Sequence, residues 1–343
     1  MTRVGTRTVH VAVPVGIDDE ARPSGGNVYD RRLCQELRRQ GWAVEQHAVD
    51  DVEPVLARLP EGAVVLVDGL VALGSAHGVL AHSERLRVVV LLHMPFGERA
   101  AEVRIVECLL LTAAAAVVVT SEWSRAWLLE HYPLRPGRVH VATPGADPAA
   151  LAPGTGSGGS LLCVGAVAVD KGHAVLLAAL AEVADLPWQL TCAGSLDLDR
   201  ELVDRLGRLA AGFGIAGRVA WSGALSGARL EAAWAGTDAL VLASRAESWG
   251  MVVGESLARG VPVLATEVGG LPEAFGSLPD GRRPGVLVPP GDAPALAGAL
   301  RSWLTDEAVR RDLTAVARSR RTRLTGWPET AARTAYALEE AAR

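Results

Sequence analysis

The sequence predicts an α/β protein built from two doubly wound, Rossmann-like parallel-sheet domains. Its 343 residues exceed the size of one ordinary domain. Short apolar segments alternate with helical patterns along the whole chain, which is typical of parallel α/β sheets. A segment rich in Gly and Ser, residues 152–159, divides this alternation into two similar halves. Hydrophobic residues make up 49% of the chain, which is enough to fill two cores.

The first half contains six predicted strands with helices between them. The strands are Thr8–Pro14, Ala43–His47, Ala63–Val67, Val88–His93, Ala116–Val119 and Arg138–Ala142. The helices are Val28–Gln40, Asp51–Arg58, Ser75–His82, Glu98–Ala114 and Ser121–His131. The last of these begins with a capping pattern, Thr120-Ser121-Glu122.

The second half repeats the pattern. Its predicted strands are Ser160–Val164, Trp188–Ala193, Val219–Ser222, Ala239–Ala243, Val261–Ala265 and Gly285–Val288. An amphipathic helix closes the chain over about residues 327–343. We therefore expect a first domain over residues 1–152, a second domain over residues 160–326, and the final helix packed back on the first domain.

The composition argues against several classes of protein. The net charge of −5, without a basic cluster in the first half, disfavours a nucleic-acid partner and docking to anionic membranes. No signal-peptide pattern is visible, and the longest apolar run, Leu109–Val119, is too short to span a bilayer. The cysteine spacing fits neither a zinc site nor a disulfide framework, so we expect reduced core thiols at Cys34, Cys108, Cys163 and Cys192. These observations predict a cytoplasmic protein without a membrane segment.

Two carboxylates bracket the start of a predicted helix in the second half. Residues 244–265, SRAESWGMVVGESLARGVPVLA, leave a strand, turn, and enter this helix. Glu247 lies in the turn, and Glu255 lies five residues into the helix, about 7 Å along its axis. A diphosphate would rest on the free amides at the helix start, which belong to Trp249, Gly250, Met251 and Val252. Glu255 would then reach an attached ribose diol, and Glu247 would face the group on the distal phosphate.

This segment, with the Gly-Val-Pro-Val at its end and the following Val268-Gly-Gly-Leu-Pro-Glu273, resembles the donor site of glycosyltransferase family 4, the group 1 glycosyltransferases. The resemblance covers nearly the whole chain. It implies the GT-B fold, two Rossmann-like domains with the active site in the cleft between them, and transfer with retention at the anomeric carbon. It also implies that Glu255 holds the ribose hydroxyls, while Glu247 and the following amides hold the sugar hydroxyls and the leaving diphosphate.

Lys171 is the only lysine among 34 basic residues. By the same resemblance, this lysine binds the donor diphosphate. A chain that uses arginine elsewhere retains lysine where a compact ammonium is needed and a planar guanidinium does not fit. The alternative is a surface lysine retained by chance.

The sequence departs from the family pattern at Ala166. The family usually carries an arginine there, directly after the glycine that ends the strand. A second cation for the phosphates is therefore missing or is supplied elsewhere, and Arg245 is our candidate. Arg245 is nearly as well interpreted as an ordinary surface or ion-pair residue.

The first half contributes a glycine-rich turn and a histidine. Residues 23–27, Pro-Ser-Gly-Gly-Asn, precede a helix, and Gly25, Gly26 and Asn27 would let a phosphate or sugar approach the backbone. His93 ends a buried-looking strand, and the resemblance implies that it contacts the donor sugar; a structural histidine is the alternative.

Two acidic groups elsewhere in the chain have simpler interpretations. Asp197 and Asp199 are expected to cap a helix, and residues 18–20 are expected to form a solvated loop that could meet an acceptor.

The resemblance implies a retaining glycosyltransferase without a cofactor, in which the nucleotide-sugar is a co-substrate, and the lack of a credible acid pair in the donor site predicts metal independence. By the same resemblance, we expect it to move a hexose-type sugar to a small-molecule or glycan acceptor by a front-face mechanism, and we expect a UDP-sugar rather than a GDP-sugar as the donor. Lys171, Glu247 and His93 would act in catalysis.

Two alternatives stay open. A pseudo-glycosyltransferase would keep this site but couple an activated cyclitol to an amine. A nucleotide-sugar epimerase shares the fold, but the sequence offers no additional acid–base pair dedicated to that reaction. An oxidoreductase is disfavoured, because Gly16, Gly25 and Gly26 do not give the dinucleotide-binding spacing. The sequence leaves the acceptor and the oligomeric state open.

Overall fold

The computed structural model describes residues 7–19 and 24–343, and these residues form two compact units. The first unit contains residues 7–19, 25–145 and 325–343, and the second contains residue 24 and residues 146–324. Each unit is built around a six-stranded sheet in which all neighbouring strands are parallel. The predicted fold class, two doubly wound parallel-sheet domains, is confirmed. Pro23 of the predicted glycine-rich turn and Glu20 lie outside the described residues.

The sheet of the first unit has the strand order β2-β1-β3-β4-β5-β6. Its strands are β1 Thr8–Val13, β2 Ala43–Ala48, β3 Val64–Asp68, β4 Arg87–Leu92, β5 Ala116–Val119 and β6 Val139–Val141. Its helices are α1 Gly25–Arg39, α2 Glu53–Leu56, α3 Gly69–Gly74, α4 Ala76–His82, α5 Phe96–Arg99, α6 Arg104–Ala113, α7 Glu122–His131 and α15 Trp327–Ala341. The central strands β3, β4 and β5 are almost wholly apolar and buried, as expected for a parallel sheet with helices on both faces.

The sheet of the second unit has the strand order β12-β11-β10-β7-β8-β9. Its strands are β7 Ser160–Val164, β8 Gln189–Ala193, β9 Val219–Gly223, β10 Ala239–Leu242, β11 Val263–Thr266 and β12 Gly285–Val288. Its helices are α8 His173–Ala181, α9 Arg200–Gly212, α10 Gly227–Ala235, α11 Met251–Ala258, α12 Leu271–Phe275, α13 Ala293–Thr305 and α14 Glu307–Arg321. Every predicted strand is present in the described residues, with ends shifted by at most two residues.

The helices of the first unit differ more from prediction. The predicted helix Glu98–Ala114 is divided, because Ala100 adopts an extended conformation between α5 and the 3-10 turn that precedes α6. The carboxylate of Glu107 on α6 accepts hydrogen bonds from the amides of Phe96 and Gly97, both at 2.8 Å, and thereby holds the start of α5. Helix α3 was not predicted, and it begins where Asp68 caps it.

Hydrogen bonds attach the Gly-rich segment to the second unit. The Asp238 carboxylate accepts from the amides of Thr155 at 2.7 Å and Ser160 at 2.9 Å, and from the Thr155 hydroxyl at 2.5 Å. The Trp303 Nε1 donates to the Gly158 carbonyl at 2.7 Å. The division between the two units falls between residues 145 and 146, ahead of this segment. A composition typical of a linker is therefore ordered here by hydrogen bonds to the second unit.

Helix α15 packs within the first unit. Its Thr330 hydroxyl donates to the Thr143 carbonyl at 2.8 Å, and the rings of Tyr29 and Trp327 meet edge to face at 5.6 Å. A Cβ at Gly145 would lie 2.3 Å from the Trp327 amide nitrogen, so only glycine allows this approach.

All four cysteines are free. No helix among the described residues is both long enough and apolar enough to cross a bilayer.

Candidate functional site

Three loops meet at one edge of the second unit. Strands β7, β10 and β11 are neighbours in the sheet, and parallel strands end at the same edge. The loop after β7 contains Lys171, the loop after β10 contains Glu247, and the loop after β11 contains Gly269 and Gly270. This edge therefore collects most of the residues that the sequence predicts for the donor site.

Lys171 and Glu247 form an ion pair. The Lys171 Nζ donates to Glu247 Oε1 at 2.6 Å, and the Ser244 hydroxyl donates to the same oxygen at 3.0 Å. Asp170 Oδ2 lies 3.8 Å from the ammonium. The side chains of Lys171 and Glu247 are 28% and 14% exposed, so the pair is sheltered but remains within reach of a ligand. Lys171, which was predicted to bind the diphosphate of the donor, is therefore in direct contact with Glu247, which was predicted to bind the sugar hydroxyls.

Glycines fix the two loops that contribute this pair. Gly172 follows Lys171 with a φ of +65°, and a Cβ there would lie 1.9 Å from the Ala243 carbonyl oxygen. The Arg245 amide donates to the Asp170 carbonyl at 2.7 Å and joins the same loops. Because only glycine tolerates both the positive φ and this close approach, Gly172 determines where Lys171 lies.

The loop after β11 holds Glu247 from the other side. The Gly270 amide donates to the Glu247 carbonyl at 2.9 Å, and a Cβ at Gly269 would lie 1.8 Å from that oxygen. The Thr266 hydroxyl donates to the Ser244 carbonyl at 2.5 Å. These glycines belong to the motif that resembles the family, but their contacts with Glu247, and those of Thr266 and of the Ser244 side chain, were not predicted from the sequence.

The start of α11 offers backbone amides without a side-chain cap. Gly250 has a φ of +82° at the N-cap position, and no side chain accepts a hydrogen bond there. The amides of Met251 and Val252 begin the helix, as predicted, and such an end favours an anion. The Trp249 side chain is partly buried against the core of the second unit, so its ring is held by packing.

Glu255 lies on α11, where its side chain is half-buried. Burial raises the pKa of this carboxyl group, Arg259 opposes the shift, and Asp147 and Glu231 add to it. Arg259 donates to the Glu255 carbonyl at 3.0 Å and pairs with the carboxylate of Glu231. The ionised form of a half-buried carboxyl group near other acidic residues is stabilised by any neutral hydrogen-bond donor that reaches it, such as a hydroxyl group.

The second phosphate cation stays a prediction. Arg245 is exposed, and Ala166 is half-buried in the loop after β7.

Asp199 caps α9 by accepting from the Leu202 amide at 2.8 Å, and Asp197 pairs with Arg200 at 2.8 Å. The interpretation of Asp199 as a helix cap is therefore confirmed.

In the first unit, His93 lies between two buried carboxylates. His93 directly follows β4, and its Nε2 is 2.9 Å from Asp30 Oδ1 on α1 and 3.3 Å from Asp68 Oδ2. Asp68 ends β3 and caps α3 by accepting from the Leu70 and Val71 amides at 2.8 and 3.2 Å. Burial alone lowers the pKa of His93, but the two carboxylates raise it to about 10. The imidazole is therefore protonated at neutral pH.

The glycines predicted near a phosphate lie beside this histidine. Gly25, Gly26 and Asn27 form the first turn of α1, which begins three residues earlier than predicted. A Cβ at Gly26 would lie 3.0 Å from His93 Cδ2, so the glycine makes room for the imidazole ring. Asp30 and Asp68 were not predicted as site residues. The position of Asp68, directly after the predicted strand Ala63–Val67, was the available signal.

The second half of the chain matches a known family. Residues 158–320 match the family model described as glycosyl transferases group 1. The D-inositol 3-phosphate glycosyltransferase of Corynebacterium diphtheriae is 32% identical over 228 residues, which cover 61% of this chain and 52% of that protein. The enzyme of the same name from Kineococcus radiotolerans is 30% identical over 260 residues, covering 69% of this chain and 58% of that protein. The chain spans about half the length of the curated relatives it matches.

Solved structures resemble the chain over nearly its whole length. Sucrose-phosphate synthase from Thermosynechococcus elongatus has a TM-score of 0.78 at 21% identity, covering 96% of this chain and 98% of that one. HepE of Anabaena, in complex with UDP and glucose, has a TM-score of 0.77 at 16% identity, covering 97% and 99%. At these identities the likeness establishes the fold.

The Asp30–His93 pair generates a pH-dependent prediction. Asp30→Asn removes the closest carboxylate, so the pKa of His93 should fall from about 10 toward its ordinary value near 6.5. Because folding raises this pKa, the stability from the pair is complete below about pH 6.5 and is lost as the pH rises through about 10. The free energy of unfolding should therefore fall more steeply over this range in the wild type than in Asp30→Asn.

NMR titration of the histidine ring protons and denaturant unfolding at several pH values measure both effects. The exposed His77, which lies outside this cluster, provides an internal reference signal. A wild-type His93 that titrates near pH 6.5 would contradict the prediction.

Proposed function

We propose that this chain, whose residues 158–320 match the group 1 glycosyl transferases and whose fold is GT-B, is a retaining, metal-independent hexosyltransferase. It transfers a hexose-type sugar from a UDP-sugar to a small-molecule acceptor or a glycan. The observation that supports this most is the Lys171–Glu247 ion pair at the strand ends of the second unit, in the same loop system as the uncapped start of α11.

The second unit offers groups that match each part of a nucleotide-sugar. The Lys171 ammonium and the amides at the start of α11 suit a diphosphate, since both provide fixed positive charge. The Glu255 carboxylate suits the ribose hydroxyls, whose donation would lower the pKa that burial raises. Glu247, held by Lys171 and Ser244, keeps its second oxygen for the hydroxyls of the sugar.

The surroundings of Glu247 favour a front-face mechanism. A carboxylate oxygen that accepts from both an ammonium and a hydroxyl is a weak nucleophile, so a covalent intermediate on Glu247 is disfavoured. In the proposed step, the bond from the anomeric carbon to the diphosphate breaks, and its electron pair stays with the diphosphate. The acceptor oxygen bonds to the same face of the sugar, and its proton passes to a diphosphate oxygen. Lys171 stabilises the charge that develops on this leaving group.

The positively charged His93 supports a donor contact in the first unit. A buried imidazolium whose Nε2 is held by Asp30 and Asp68 has a fixed orientation, so its remaining N–H is a directed donor. A sugar hydroxyl is a suitable acceptor for it. The complexes of HepE with UDP favour UDP as the nucleotide, and the name of the curated relatives favours a small polyol phosphate among acceptors.

Glu255→Gln tests the ribose contact. Hydrogen bonds to a charged group contribute roughly 1.5–3 kcal/mol, so the variant should bind UDP about 10- to 100-fold more weakly than the wild type. Titration calorimetry with UDP and with GDP measures the affinity and identifies the preferred base. The matched control is Glu231→Gln, which removes a nearby exposed carboxylate and should retain UDP affinity. Unchanged affinity in a folded Glu255→Gln protein would refute the assignment.

Lys171 variants test stabilisation of the leaving group. Loss of one preorganised donor to developing charge typically costs roughly 100- to 1,000-fold in turnover, and we expect this for Lys171→Ala. Lys171→Arg keeps the charge but replaces a compact ammonium by a larger planar group, and it should remain at least about tenfold impaired. UDP release at saturating donor measures both rates. If Lys171→Arg turned over like the wild type, the requirement for lysine would be wrong.

Metal independence is tested by chelation. Among the described residues, both clusters able to ligate a metal consist of residues of the first unit, and neither includes a residue of the proposed diphosphate site. Turnover should therefore continue in excess EDTA at the untreated rate. The control adds Mg²⁺ or Mn²⁺ back after chelation, and an activity that disappears with EDTA and returns with metal would contradict the proposal.

A further inference from the structure

Three metal-binding side chains lie together at an edge of the first unit. His10 is on β1, and Glu45 and His47 are on the edge strand β2. His10 and Glu45 are opposite each other in the parallel register, and His47 lies two residues beyond Glu45. Side chains alternate between the faces of a sheet, so all three lie on one face. The pairing of β1 with β2 therefore creates this cluster.

One of the two distances from His10 within the cluster is longer than an ordinary hydrogen bond. His10 Nδ1 lies 3.4 Å from His47 Nε2 and 3.2 Å from Glu45 Oε2. The nitrogen–nitrogen distance exceeds the roughly 2.7–3.2 Å of an ordinary hydrogen bond from an N–H group. One ring nitrogen has one proton or one lone pair, so it cannot satisfy both neighbours equally.

We propose that His10, Glu45 and His47 bind one divalent cation of the zinc type. Zinc–ligand bonds of about 2.0–2.1 Å at tetrahedral angles place neighbouring ligand atoms about 3.3–3.4 Å apart. The two distances from His10 Nδ1, 3.4 and 3.2 Å, are close to this value, and all three ligand atoms lie within 4.8 Å of one another. Two imidazoles and a carboxylate are ordinary zinc ligands, and the exposed side of Glu45 leaves the fourth position to water.

The Asp30–Asp68–His93 cluster is a different case, although its residues could also ligate a metal. Its 2.9 Å contact between His93 Nε2 and Asp30 Oδ1 is an ordinary hydrogen bond.

Binding would have a structural consequence that is independent of the proposed transfer reaction. A cation shared by β1 and β2 would link the edge strand to its neighbour through side chains in addition to the backbone ladder. A ligand that binds only the folded state stabilises it in proportion to its occupancy. Zn²⁺ should therefore raise the Tm of the protein.

The experiment uses tag-free protein stripped of metal and titrated with Zn²⁺ and Co²⁺. We expect one tight site per chain, visible Co²⁺ bands of tetrahedral intensity, and a rise in Tm with Zn²⁺. His47→Ala should weaken binding by at least about 100-fold, since loss of a direct ligand exceeds the 10- to 100-fold cost of losing a supporting contact. Glu45→Gln should weaken it in the same direction. Both residues lie on the edge strand, so these variants should fold.

The matched control is His77→Ala, which removes an exposed histidine outside the cluster and should bind both metals like the wild type. Three results would overturn the proposal: no tight binding by the wild type, equal affinity in His47→Ala, or thiolate charge-transfer bands that assign the metal to cysteines.

Discussion

The ion pair between Lys171 and Glu247 is the interaction on which the candidate site depends. Its partners are 76 residues apart in the chain and meet because β7 and β10 are neighbours in the sheet. Two glycines make the meeting possible: Gly172 lets the lysine loop lie against Ala243, and Gly269 lets the β11 loop lie against Glu247. Side chains at either position would collide with a carbonyl oxygen. The two glycines therefore allow close backbone contacts between the loops, and these contacts position the charged groups.

The two histidine clusters of the first unit show how neighbours determine the chemistry of one residue type. His93 lies between two buried carboxylates, and their charge overcomes the effect of burial, so the ring is a fixed cation. His47 lies beside His10 and Glu45, and burial, His10 and Arg58 lower the pKa of its ring. A cationic ring donates hydrogen bonds, whereas a neutral ring can ligate a metal. Two histidines of the same unit thus have different chemical properties, because their neighbours differ.

The sequence predicted some features well because their causes are local. Alternation of apolar strands with helices depends on a few adjacent residues, and every strand was found in the described part of the chain. The cap at Asp199 also depends on a local pattern. Helix ends in the first unit were less predictable. Helix α5 is separated from α6 by an extended residue, and its first amides are held by Glu107, a contact across about ten residues that periodicity does not reveal.

The sequence by itself determined the fold class, the two-part organisation and the candidate donor-site residues, since motif spacing and hydrophobic periodicity are properties of short segments. Only the tertiary structure decided which of these residues meet. It paired Lys171 with Glu247, added Ser244 to the same oxygen, and placed Asp30 and Asp68 on His93. It also brought His10 to Glu45 and His47 across two strands. These contacts depend on strand order and register, which distant parts of the chain determine together through packing, so no local pattern encodes them.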